Sequence, residues 1–126
     1  MGLQTLYRPV GIEEYRLIAE SGFRAFPPRL EWQPIFYPVL NLEYAEQIAR
    51  DWNARGADAG IVSAFDLDAA YVEQFEVRQV GGRGHQELWV PAERLAEFNE
   101  QIQGPIRIVA AFYGDRYEGD RVEVAR

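Results

Sequence analysis

Apolar and polar residues interleave from Leu3 to Val10 (LQTLYRPV), which predicts a first strand stopped by Pro9 and Gly11. Ile12, Tyr15, Ile18 and Ala19 then recur at helical spacing, and Gly22 stands where a C′ glycine belongs. Pro27-Pro28 opens a loop through Pro34 that carries Trp32 and follows Phe23 and Phe26, so it is predicted to be packed. Ile35-Phe36-Tyr37 reads as a short extended segment ended by Pro38. Asn41 is a plausible N-cap for the clearest helix, in which Leu42, Ala45, Ile48, Ala49 and Trp52 form one apolar stripe. Asn53 to Gly60 reads as a turn.

The second half is richer in strands. Ile61–Leu67, Phe75–Val80, Glu87–Val90 and Pro105–Tyr113 all read as β, with a short helical turn capped by Asp68 after the first. Gly81-Gly82 closes the second of these. Pro91 starts a helix through Ile102 whose apolar face is Leu95, Phe98 and Ile102. The tail from 114 to 126 alternates charges and is expected either to add an edge strand or to fray. Strands and helices do not alternate regularly, which disfavours a doubly wound parallel sheet. The expected fold is therefore a single α+β domain over residues 1–126, with a mainly antiparallel, split sheet and two or three helices.

Composition narrows the chemistry. A chain of 126 residues with 48% hydrophobic residues is one globular domain, able to bury about two thirds of its unfolded surface. It contains no cysteine and one histidine, which excludes disulfides, thiolate sites and a multi-histidine zinc site. All 13 basic residues are arginine, so a Schiff-base or Walker lysine is excluded as well. Arginine's fork suits phosphate recognition, although a GC-rich coding sequence produces the same usage. A formal charge of −7 argues against broad nucleic-acid binding. No apolar run approaches a membrane span and the N-terminus lacks a signal-peptide pattern, so no membrane partner and a cytoplasmic protein are expected.

Three segments are candidates for chemistry. Tyr7-Arg8 ends the first strand, where Arg8 either offers a fixed guanidinium to an anion or faces solvent on an edge. Tyr37 either stacks on a planar ligand or packs in an aromatic core. In GGRGHQELWV, from Gly81 to Val90, His85 lies two residues before Glu87, so on a strand both share one face. That pair suits acid–base work, or is simply a polar entry to a strand. The GGRG run contains neither a Walker nor a dinucleotide fingerprint. Asp66 and Asp68 form a D-x-D that either holds a divalent metal or, through Asp68, caps a helix. The helix cap is the favoured role, and no metal site is assigned.

Taken in order, TLYR, FYPVLNLEYAEQIARDW and HQELWVPAERL resemble the three motif segments of ADP-ribosyltransferase domains, over residues 5–95. The family signature is a histidine or arginine, then a serine or tyrosine, then a glutamate. LYRPVG, SGFRAFPPRL and ELWVPAE are also similar to segments of short bacterial proteins labelled ADP-ribosylation/crystallin J1. The resemblance implies an ADP-ribosyltransferase-like fold that takes NAD as substrate. It would transfer ADP-ribose to an acceptor the sequence does not identify, or hydrolyse NAD. Arg8, with Tyr7 beside it, would anchor the ribose or phosphate, and Tyr37 would stack on the nicotinamide. Glu87 would stabilise the oxocarbenium character of the transition state. His85 stands where many relatives acting on protein side chains have a glutamate or glutamine, and it would accept the acceptor's proton. The alternative is an inactive module that binds a nucleotide or a protein through the aromatic loop, for example a neutralising partner of a basic toxin.

Overall fold

The computed structural model describes residues 2–125, so Met1 and Arg126, at the ends of the expected domain, lie outside the described residues. In chain order the strands are β1 (Leu3–Val10), β2 (Ile35–Phe36), β3 (Ala59–Asp68), β4 (Glu76–Gln79), β5 (Gln86–Pro91) and β6 (Gln103–Tyr113). The helices are α1 (Ile12–Glu20), α2 (Leu42–Ile48), α3 (Ala69–Val72) and α4 (Leu95–Gln101). The chain forms a small α+β domain with two antiparallel three-stranded sheets, ordered β1-β3-β6 and β2-β5-β4. Four helices stand among the described residues rather than two or three, since every segment read as helical forms one, including Ile12–Glu20 and the turn capped by Asp68.

The two sheets meet at one residue. Val39 bridges Tyr7 of β1 on one side and Glu87 of β5 on the other. Its backbone exchanges two hydrogen bonds with Tyr7, at 3.0 and 2.7 Å. On the other side, Leu88 donates to the Pro38 carbonyl (2.8 Å) and Leu40 to the Gln86 carbonyl (3.2 Å). Pro38 has no N–H, so the segment cannot continue as a regular central strand. This narrow junction is where the sheet splits.

One large core fills the space between the sheets and α1, α3 and α4. Leu6, Val10, Phe36, Phe65, Leu88, Val90 and Phe98 are all buried there. Phe26, Phe36, Phe65 and Phe98 pack edge-on or tilted, with centroids 4.8–6.1 Å apart. Each such ring contributes about 1.5–3 kcal/mol by leaving water. A smaller cluster of Val39, Ala45, Ala49 and Val62 lies on the opposite face of the β1-β3-β6 sheet, under α2. Strand β3, covered on both faces, is buried almost throughout. Gly60 is required there, because a Cβ at that position would lie 2.0 Å from the Ala49 carbonyl oxygen.

Two expectations about packing are corrected. Phe26 is buried as predicted, but Trp32 is 76% exposed and belongs to no core. Its turn closes on itself, with Gln33 donating to the Leu30 carbonyl and the Gln33 side chain accepting from the Leu30 N–H. In the α2 stripe, Ala45 and Ala49 are buried, whereas Trp52 is 66% exposed and Leu42 sits at the surface. The cause is a π turn over Ala49–Asn53, in which Ala54 donates to Ala49 five residues back. The wider turn carries Trp52 off the buried face, where it instead meets the Arg55 guanidinium at 4.6 Å.

Beyond Tyr113 the described residues form no further strand. It lies against the sheet edge, where Ala125 donates to the Ile108 carbonyl and Val122 to the Tyr113 hydroxyl.

Candidate functional site

Residues paired across a sheet share a face, so Tyr7, Val39 and Glu87 all project toward α2. Tyr44 comes down from that helix onto the same place. Its backbone N–H is fixed by the Asn41 side chain, which accepts at 2.8 Å and caps the helix as predicted. The Tyr44 hydroxyl donates to Glu87 Oε2 at 3.3 Å, and its ring stacks on the His85 imidazole, with centroids 4.3 Å apart and planes 9° apart. Burial raises the Tyr44 phenol above its ordinary pKa of 10.0, and the Glu87 charge and hydrogen bond add to the effect. The phenol is therefore a neutral donor across the physiological range.

The segment before β5 is a tight loop. Val80 donates to the His85 carbonyl at 2.7 Å and His85 donates to the Gly82 carbonyl at 3.2 Å. Gly81 and Gly84 take φ of 79° and 81°, which explains the glycines there. The Asn41 amide also donates to the Gly84 carbonyl, tying this loop to the start of α2. Between the two lies a groove of about 590 Å³, with Asn41, Tyr44, Gln47, Arg83 and His85 among its walls. Glu87 does not line the groove directly and adjoins it through Tyr44.

His85 and Glu87 are thus brought together as the sequence suggests, by a different route. His85 precedes the strand rather than lying on it, and Tyr44 joins the two. Tyr7 shares their face and packs against the small cluster under α2.

Arg8 and Tyr37 sit elsewhere. Neighbouring strand residues face opposite ways, so Arg8 points with Leu6 and Val10 into the main core, away from Glu87. It is 8% exposed. Its guanidinium forks the Glu14 carboxylate at 2.7 and 3.0 Å and lies 4.6 Å over the Phe36 ring. Tyr37 meets Trp89 edge-on, with centroids 5.4 Å apart, and Arg78 covers the Trp89 ring at 3.7 Å. The Trp89 indole N–H is buried without a hydrogen-bond partner.

Both aspartates of the D-x-D are engaged by the protein. Asp66 accepts two bonds from Arg107 and one from Thr5, and Asp68 caps α3 through the Ala70 N–H. No cluster of three potential metal ligands occurs among the described residues. No helix among them is long and apolar enough to cross a membrane.

Tyr44, Gln47 and Arg83 were not singled out by sequence reasoning. Tyr44 stands three residues after the Asn41 cap, but nothing along the chain pairs position 44 with positions 85 and 87. Compared with known proteins, the chain matches no known family, no curated protein and no solved structure.

Proposed function

We propose that the groove between α2 and the loop before β5 binds NAD, and that Glu87 and His85 transfer its ADP-ribosyl group to an acceptor or to water. The observation that carries this reading is the Tyr44-centred cluster, in which one carboxylate and one imidazole are held beside a groove large enough for a nucleotide. The split antiparallel sheet agrees with the ADP-ribosyltransferase resemblance, whereas Arg8 and Tyr37 lie away from Glu87, so of the three signature residues only Glu87 enters this reading. In this reading the glycosidic bond between nicotinamide and C1′ breaks and its electron pair leaves with nicotinamide. Glu87, set behind Tyr44 at the edge of the groove, stabilises through its charge the positive charge that develops on the ribose. His85, on the groove wall, takes the proton from the attacking hydroxyl or amine. Arg83, on the groove wall, supplies the cation for the pyrophosphate, the role the resemblance gives to Arg8.

Calorimetric titration with NAD and assay of released nicotinamide test the reading together. Saturable binding is expected, weakened by Arg83→Ala. Glu87→Gln is expected to retain binding and to lose nicotinamide release by about 10²–10³-fold, the scale of one preorganised electrostatic group. Absence of both binding and release at millimolar NAD refutes it.

A second reading rests on Trp32 and Leu30, 76% and 53% exposed at one turn. Exposed aromatic residues of this kind anchor protein interfaces. A non-enzymatic binding module would use that turn, lose its partner on Trp32→Ala, and be indifferent to NAD.

A further inference from the structure

We propose that Tyr44 is the positioning residue of this site, holding the Glu87 carboxylate through its hydroxyl and the His85 imidazole through its ring. The inference rests on the NAD reading for its catalytic consequence, but the geometry is independent of it. One side chain contacts both groups, at 3.3 Å to Glu87 Oε2 and 4.3 Å between ring centroids to His85. A glutamate on a strand otherwise has free χ angles, and a histidine at the end of a glycine loop is freer still. The support beneath Tyr44 is rigid on two sides. Asn41 caps its N–H and grips Gly84, while Ala49 is pressed onto β3 at Gly60 and Ala45 is buried in the cluster with Val39 and Val62.

The charged and titratable groups around Tyr44 are few. Glu87 faces it from β5 and His85 from the loop before β5, Glu43 precedes it on α2, and Arg83 shares the groove. Only Glu87 receives its hydroxyl. The phenol must therefore be protonated for the arrangement to hold, and the raised pKa is consistent with that. Because a fixed carboxylate acts on charge that develops only in the transition state, loosening it lowers kcat and leaves KM largely unchanged.

The test compares wild type with Tyr44→Phe, which keeps the ring and removes the hydroxyl, and Tyr44→Leu, which removes both. Tyr44→Phe is expected to lower kcat for nicotinamide release at least tenfold, with KM within twofold and the melting temperature unchanged. Its His85 ring protons are expected to keep the upfield NMR shift that stacking produces. Tyr44→Leu is expected to lose that shift as well. Wild-type kcat in Tyr44→Phe, or an unstacked His85 in the wild-type protein, overturns the proposal.

If no form of the protein consumes NAD, the NAD reading fails and positioning is still read from the phenol itself. The NMR titration midpoint of Tyr44 is expected to fall toward 10 in Glu87→Gln, as removal of the adjacent negative charge requires. An unchanged midpoint overturns the coupling.

Discussion

Removing the Glu14 carboxylate tests whether Arg8 is held in the core as half of a buried ion pair. Glu14→Gln leaves the guanidinium in place, with its side chain 10% exposed, and takes away the carboxylate, whose side chain is 22% exposed. Breaking a buried ion pair by deleting one member costs about 3–5 kcal/mol, because a charge is left uncompensated. The partial exposure of Glu14 places this case near the lower end, at about 3 kcal/mol. At roughly 4 °C per kcal/mol for a domain of this size, the melting temperature should fall by about 12 °C. The double variant Arg8→Met/Glu14→Leu removes both charges and should recover most of that loss, since apolar replacement of a buried pair is close to neutral. Scanning calorimetry of Arg8→Met, Glu14→Leu and the double variant closes the cycle. If Arg8 instead anchors a ligand, Arg8→Met will weaken NAD binding at an unchanged melting temperature, and the core assignment is refuted.

Two further predictions concern the frame around the site. Gly60→Ala forces a methyl group against the Ala49 backbone, which cannot swing aside as a flexible side chain would. It should cost about 3 kcal/mol or more, whereas Gly82→Ala meets only the His85 ring at 3.6 Å and should be neutral in the same urea titration. Asp66 is held below its ordinary value of 3.8, chiefly by the Arg107 hydrogen bonds and then by Thr5 against some burial. Its contribution to stability is therefore present above that ordinary value and lost as pH falls through the lower folded-state value. Melting temperatures measured between pH 6 and 2.5 should fall less steeply below pH 4 in Asp66→Asn than in wild type.

The elements were legible in the sequence wherever a local signal decided them. The alternation in β1, the Asn41 and Asp68 caps and the Gly81–Gly84 turn all appear where the residues place them. What the sequence did not disclose was set by contacts between distant segments. The π turn at Ala49–Asn53 accompanies the fit of Ala49 onto Gly60, and it rotated Trp52 out of a stripe that a uniform 3.6-residue period assigns to the core. Arg8 is nearer in sequence to its partner, Glu14 being six residues on, but no strand or helix period shows that α1 folds back onto that face of β1. Its burial became affordable only when α1 brought Glu14 beside it.

The site shows the same division. His85 and Glu87 stood out because they are two residues apart, and the chemistry of that pair is visible in any extended segment. Tyr44 escaped notice because its partners are 41 and 43 residues away and a tyrosine on an amphipathic helix looks like packing. The helix cap that aims it was recognised, but its aim depends on which strand lies opposite. That depended in turn on Val39 joining Tyr7 to Glu87, a single-residue bridge without a strand pattern of its own.

Mapping NAD onto the protein by NMR is the most direct test of the groove. Titration of isotopically labelled protein should move the resonances of Asn41, Tyr44, Gln47, Arg83 and His85 saturably, and leave those of Trp32 and the Arg8–Glu14 pair unmoved. Shifts centred on Arg8 or Trp32, or none at millimolar NAD, would contradict the account.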